Sequence, residues 1–186
     1  ARFGYDDCPG HSVWREPHEW LGAKLTERYP LHLLSNQPAT RLHSQYDNGS
    51  YSRSSKIKGR EPIRLHPADA KARGISDGDV VRVFNDRGAC LAGAVLSDAL
   101  RPGVVQLATG AWYDPLDPLT PNTLDKHGNP NVLAADRGTS KLSQGCSAQS
   151  CLVQIERYDK KLPPVTAFNP PEILDNSNRS PADANT

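Results

Sequence analysis

Two stretches of the chain concentrate side chains that can read the edge of a heterocycle. The first holds Asn36, Gln37, Thr40, Arg41, His43, Ser44, Gln45 and Asn48. The second holds Asn129, Asn131, Thr139, Ser140, Gln144, Ser147 and Gln149. A carboxamide presents a donor and an acceptor side by side, the pairing by which Asn and Gln meet adenine. Arg41 can meet a phosphate with two parallel N–H donors. The competing explanation is turn formation, which Asn and Ser serve through local hydrogen bonds. From residue types alone, turn formation carries the greater weight.

Other chemistries lack their residues. The chain has no G-x-x-x-x-G-K-[ST] loop, no G-x-G-x-x-G after a strand and no G-x-S-x-G elbow,. His11, His18, His32, His43, His66 and His127 never stand four apart on a helical stretch, so no metal cage of protein ligands is expected,. His66 before Pro67 reads as a structural or surface histidine, and Asp77 and Asp79 around Gly78 read as turn acids,. No nucleophile stands beside a base, so no catalytic residue is assigned,. Lys and Arg number 22 against 21 Asp and Glu, a net charge of +1. That balance argues against binding nucleic acid through phosphate neutralisation. No run approaches the roughly 20 apolar residues of a membrane span. Cys8, Cys90, Cys146 and Cys151 are sparse and miss the paired C-x2-C spacing, so all four are expected as reduced thiols,. The chain starts Ala-Arg-Phe and contains no Met, which reads as a piece of a longer protein.

The elements that must position the two polar stretches are short. A chain of 186 residues, 37% hydrophobic, predicts one domain with a packed core,. Its 14 glycines and 16 prolines exceed the usual share of roughly 12%, so many turns are expected,. Residues 1–16 read as irregular, and Pro17 opens a predicted short surface helix docked by Trp20,. LHLLSN (31–36) predicts a buried strand, followed by a long polar loop over 37–60,. EPIRLH (61–66) predicts a strand and PADAKAR a short helix capped by Gly74,. VVRVFN (80–85) and ACLAGAVL (89–96) predict a hairpin about DRG, with Arg87 at the surface,. VVQLATG (104–110) and CLVQIERY (151–158) add two strands, and TSKLSQG (139–145) predicts one helical turn,. The pattern suits a small barrel or sandwich rather than alternating βαβ units.

The segment LLSNQPATRLHSQYDNG through IRLHPADAKARGISDGDVVRVFNDRG, then GAWYDP and KHGNPNVLAADRGTSKLSQGCSAQ, resembles the C-terminal cofactor-binding domain of the dimethyl sulfoxide reductase family of molybdenum enzymes. Within that family it is most similar to the biotin sulfoxide and trimethylamine N-oxide reductases. The resemblance runs from about Leu31 to Tyr158, with weaker similarity in CPGHSVW and LPPVTAFNPP. NQPATRLHSQ and GNPNVL carry it specifically, whereas the DGD-x-VRV-x-NDRG string is shared by many molybdopterin proteins.

The resemblance implies a mainly β fold, a six-stranded double-psi β-barrel with small flanking helices. The domains it implies are an arm with a short helix over 1–30, the barrel over 31–160 and an extended C-terminal tail over 161–186, its end disordered. It implies a bis(molybdopterin guanine dinucleotide) molybdenum cofactor, held between this domain and the remaining domains of a parent enzyme. Arg41, His43, Ser44 and Gln45 then face a pterin or its phosphate, with Asn36 and Gln37 beside them. Asn129 and Asn131 do so from the second stretch, with Gln149. Trp112 and Asp114 sit at a strand exit where a base can bind; hydrophobic packing is the alternative for Trp112,. The metal's ligands are implied to be dithiolene sulfurs and a serine outside this chain, and Cys146, beside the implied pocket, is assigned no ligand role. The implied activity of the parent is reduction of S-oxides or N-oxides. The isolated chain is expected to be inactive, and the parent cytoplasmic, with a periplasmic location the alternative. A free-standing double-psi binding module and a cofactor assembly or storage protein are the competing readings.

Overall fold

The computed structural model describes residues 4–171. Six strands close into a barrel: β1 (Leu31–Leu34), β2 (Pro62–Leu65), β3 (Val80–Phe84), β4 (Ala89–Leu96), β5 (Val104–Leu107) and β6 (Leu152–Arg157). Their order around the ring is β1-β5-β2-β4-β3-β6. The pairs β1·β5 and β2·β4 are parallel and the other four are antiparallel. Adding three to each strand number maps this pairing onto itself, so β1–β3 and β4–β6 are related by a pseudo-two-fold. This is the double-psi arrangement, and its closure removes the unpaired edges of strands this short.

The alternating residues of the strands fill the interior. Leu31, Leu33, Ile63, Leu65, Val81, Val83, Val105, Leu107, Val153 and Ile155 meet there with Cys90, Ala92 and Ala94. The small residues of β4 let the ring close tightly, as a six-stranded barrel requires. Gly93, on the other face of β4, lies where a Cβ would run into the Ile57 side chain, so glycine admits the loop before β2 against the barrel,.

The short helices partly follow the sequence pattern. α2 (Pro67–Lys71) forms where expected, capped by the His66 side chain, which accepts from Ala68 N at 3.1 Å. Gly74 has φ +62°, the left-handed end expected of it,. The long loop holds a short helix the pattern did not show, α1 (Ser50–Ser54). The helix expected after Pro17 shrinks to one 3-10 turn at Lys24–Glu27. Tertiary contacts override the local preference there: Glu19 turns inward, pairs with Arg87 through both carboxylate oxygens (2.6 and 3.0 Å) and accepts Leu152 N at 2.7 Å. Glu19, rather than the exposed Trp20, therefore docks the arm. Arg87 also donates to Leu133 O at 2.7 Å, so it is a tie between segments and not a surface turn residue. Residues 139–145 form no helical turn; Gly138 and Cys146 bridge instead. The expected disordered end of the tail lies outside the described residues. Among those described, no helix is long and apolar enough to cross a membrane, and all four cysteines are free thiols.

Candidate functional site

The parallel pairing of β1 and β5 explains how two polar stretches far apart in sequence meet. His32 pairs with Val104 and Leu34 with Gln106, so both strands end at the same rim of the barrel. The loops leaving that rim are residues 35–48 and 108–131. Thr109 N donates to Asn36 O at 2.9 Å and stitches them together at the exit.

Between these loops lies a cavity of about 430 Å³, lined by His43, Ser44, Thr109, Gly110, Trp112, Asn129 and Asn131 among others. It unites five of the residues expected from the sequence: His43, Ser44, Trp112, Asn129 and Asn131. The walls approach closely. A Cβ on Gly110, which has φ +90°, would strike the His43 carbonyl, so only glycine fits,. His43 and Tyr46 themselves hold left-handed φ values of 49° and 60°. Such conformations are costly for residues with side chains and persist only where the surroundings enforce them. Trp112 donates its indole N–H to Ser44 O at 2.9 Å, which ties one loop to the other across the cavity.

Asn36 and Gln37 line a smaller adjoining cavity of about 170 Å³, together with Thr40, Arg64 and Gln106. Gln37 Nε2 donates to His43 Nδ1 at 3.0 Å and links the two cavities. Asn36 Nδ2 donates to Gln37 O, but its Oδ1 is buried with no partner among the described residues, a free acceptor beside this cavity. A buried acceptor left unpaired costs about 1–3 kcal/mol, so such an atom marks a place for a donor.

Arg41 and Asp114 depart from the expectation that they face a ligand. The Arg41 side chain is fully buried and its donors are consumed inside the chain. It pairs with Asp47 at 3.3 Å and Glu61 at 3.2 Å, and bonds Ser52 Oγ, His43 O and Thr109 O. Lys56 closes the square, 2.8 Å from both Asp47 and Glu61. Two cations thus face two anions with almost no solvent, the arrangement a buried charge cluster requires. Burial pushes the Asp47 carboxyl up, but Lys56, the Trp112 N–H and Arg41 outweigh it and leave Asp47 below the usual carboxylate range,. Asp114 accepts from Thr166 N and Oγ1 at 2.7 and 2.6 Å and pairs with Lys126 at 3.0 Å. It fastens the C-terminal segment.

Sequence reasoning missed Asp125 and His127, which shape the loop under the cavity. Asp125 is fully buried and accepts backbone N–H bonds from Asp114, His127, Gly128 and Asn129. Burial pushes its pKa up while these four donors pull it back. The D-K-H-G-N spacing was the available signal, because a short acid followed by Gly-Asn suits a side-chain-to-backbone turn. Buried His127 donates from Nδ1 to Trp112 O at 2.8 Å; Nε2 is then an acceptor and has no partner among the described residues. Burial and Lys56 hold its pKa below 6.5, so the ring is neutral.

The remaining expected residues stand outside the cavity. Gln45 is exposed. Gln149 grips the end of β1, accepting Ser35 N at 3.0 Å and donating to Ser35 O at 2.8 Å. Cys146 is exposed and accepts from Ala148 N at 3.3 Å. The second polar stretch divides: Thr139 and Ser147 line a different and larger cleft of about 720 Å³, with Arg15, Glu16, Glu19, Arg87 and Arg137.

A closed double-psi barrel with an amide-lined cavity where its parallel strands exit defines a small-molecule-binding domain. Residues 31–152 match the model of the Molydopterin dinucleotide binding domain family, and the chain belongs to that family. It is 51% identical over 92% of its length to a dimethyl sulfoxide/trimethylamine N-oxide reductase of Cereibacter sphaeroides, covering 21% of that protein. It is 50% identical over 92% of its length to a trimethylamine-N-oxide reductase of Salmonella typhi, covering 20% of it. It is 49% identical over 85% of its length to a biotin sulfoxide reductase of Cereibacter sphaeroides, covering 21% of it. The chain thus spans about a fifth of these relatives. Among solved structures, acetylene hydratase from Pelobacter acetylenicus superposes with a TM-score of 0.66 at 20% identity, over 84% of this chain and 22% of that one. That likeness supports the fold.

Proposed function

We propose that this chain is one wall of a cofactor clamp in a larger molybdenum oxidoreductase that reduces S-oxides or N-oxides. The cofactor is bis(molybdopterin guanine dinucleotide) molybdenum, and the other wall belongs to the remaining domains of the parent. The observation that carries this reading is the cavity at the β1·β5 rim, which brings His43, Ser44, Trp112, Asn129 and Asn131 together. A pterin or purine edge alternates donors and acceptors, and imidazole, hydroxyl and carboxamide groups supply both to match it. The unpartnered Asn36 Oδ1 and the close Gly110–His43 approach fit the same ring-sized guest.

The cofactor supplies the oxygen-atom and electron transfer when bound, and the protein supplies position and electrostatics. In this chain the work divides in two. His43, Ser44, Asn129 and Asn131 offer hydrogen bonds, and Trp112 offers an aromatic face. Arg41 and Asp114 act behind them: Arg41 holds the carbonyls of His43 and Thr109, and Asp114 holds the loop after Trp112 against Thr166. Asn36, Gln37, Gln45 and Gln149 complete the rim. The parent's partners are its own further domains and a small oxide substrate. A cytoplasmic location belongs to the same proposal, with a periplasmic one the alternative.

Purified full-length parent, hydrolysed in acid and analysed for metal and nucleotide, tests the reading. Molybdenum accompanied by two guanine nucleotides per metal is the expected result. A parent active on sulfoxides without any guanine nucleotide would overturn it.

A further inference from the structure

Trp112, half-buried beside the cavity, is held through its backbone, its indole N–H and its ring. Its N–H donates to Asp47 Oδ2 at 2.9 Å, and its carbonyl accepts from His127 Nδ1 at 2.8 Å. Its indole N–H donates to Ser44 O at 2.9 Å. The ring itself meets the edge of Phe168, with centroids 5.4 Å apart and planes at 66°. Phe168 belongs to the segment beyond β6 and would have no reason to sit there if that segment were a free tail. The segment is instead fastened. Thr166 bonds the Asp114 carboxylate twice and accepts from Lys126 Nζ at 2.7 Å, and Arg60 reaches Pro163 O. The Phe168 ring also stands perpendicular to His127 at 4.9 Å, and the cations of Arg53 and Lys56 lie 5.4 and 5.9 Å from its centroid. One ring thus touches the cavity's aromatic wall, the histidine that anchors that wall, and the buried charge cluster beneath the 41–46 loop.

Phe168 lines none of the 430 Å³ cavity. Its effect on a guest must pass through the indole. An indole hydrogen-bonded only at its nitrogen can still pivot about that bond, and an aromatic edge against it removes the freedom. A rigid aromatic wall binds a flat guest more tightly than a mobile one, because less ordering remains to be done on binding.

We propose that Phe168 is a positioning residue that locks the Trp112 indole as a fixed face of the ligand pocket, so that the C-terminal segment 163–168 sets the pocket's shape from behind. The proposal rests on the cofactor reading above and adds to it a role for a segment outside the barrel and outside the matched residues 31–152.

The test has two arms. In the 186-residue chain labelled with 5-fluorotryptophan, fluorine NMR gives lines for Trp14, Trp20 and Trp112, and a Trp112→Phe variant assigns the third. Phe168→Ala shifts and broadens the Trp112 line while the Trp14 and Trp20 lines stay in place. Thr166→Val, which loosens the segment without touching either ring, shifts it in the same direction by less. Phe168→Tyr restores it. In the full-length parent, Phe168→Ala loses pterin dinucleotide on dialysis with affinity lowered about two- to tenfold, the range one aromatic pair supplies. An unmoved Trp112 line in Phe168→Ala overturns the proposal, and so does a shifted line with unchanged pterin retention. The cofactor reading fails separately, if Trp112→Ala, His43→Ala and Asn129→Ala parents all keep their full pterin content.

Discussion

Removing Arg41 perturbs the site from beneath, and the structure sets the size of the effect. Arg41→Ala leaves Asp47 and Glu61 facing Lys56 alone, a net buried negative charge where two ion pairs stood. Breaking a buried pair from one side costs about 3–5 kcal/mol, because the stranded charge keeps its desolvation penalty. Both side chains of each pair are at most 2% exposed, so solvent screening offers little relief. The carbonyls of His43 and Thr109 lose donors as well, but the exposed His43 can recruit water, which keeps the total near that range. A domain of this size is stable by about 5–15 kcal/mol, so the loss is large but survivable. Arg41→Lys keeps the charge but not the fork that reaches five partners, and it costs about 1–3 kcal/mol,. Adding Glu61→Gln to Arg41→Ala removes the surplus anion and recovers part of the loss, with a coupling of about 0.5–3 kcal/mol. Urea unfolding of wild type, Arg41→Ala, Arg41→Lys, Glu61→Gln and the double variant, followed by far-ultraviolet circular dichroism, measures all three quantities. An Arg41→Ala penalty below about 1 kcal/mol, or strict additivity with Glu61→Gln, refutes the internal role assigned to Arg41.

Three further outcomes follow from the same contacts. The lowered pKa of His127 makes stability fall as pH drops from about 6.5, where unfolded histidine takes up a proton that the folded ring resists; Asp47 and Asp114, also lowered, add a second loss below about pH 4,. Urea midpoints against pH should show both stages, and His127→Gln should abolish the first while leaving the second. Gly110→Ala should cost at least about 1–3 kcal/mol for its φ of +90° and more for the collision with the His43 carbonyl, and amide exchange should report loosening at residues 43–45,; a thermal unfolding midpoint equal to wild type contradicts the close approach. Arg87→Ala should cost about 1–3 kcal/mol by stranding the buried Glu19 carboxylate, and proteolysis should then cut first within residues 4–22,. Stability within 0.5 kcal/mol of wild type, roughly the scatter of surface substitutions, would return Arg87 to the surface role its hairpin position first implied.

The strands were legible because their patterns are local. VVRVFN and ACLAGAVL flank a turn sequence, and β3 and β4 pair residue by residue from Val80·Gly93 to Phe84·Ala89. Closure and the parallel pairs were not legible in the periodicity; they entered through the family resemblance. The convergence of the two polar stretches depends on the β1·β5 pairing across some seventy residues of chain, which no window of sequence contains. Arg41 shows the limit at one residue. Its type announced a bidentate contact, but Glu61, twenty residues on, and Asp47 are supplied by the fold, so the fork points inward. Glu19 shows the same override from the other side, since an acidic residue after Pro17 favours a helix until Arg87 and Leu152 N claim it. α1 escaped notice because its Ser-Tyr-Ser-Arg-Ser run has weak helical preference and is held by Ser52 in contact with Asp47 and Arg41.

Hydrogen–deuterium exchange on the full-length parent, with and without its cofactor, addresses the central claim directly. The cavity at the β1·β5 rim predicts that loading protects residues 36–46, 109–113 and 127–131 together, since these loops share one guest and one set of hydrogen bonds. Protection confined to residues 14–19 and 135–150, around the larger cleft of Arg15, Arg87 and Arg137, with the rim loops unchanged, would contradict it.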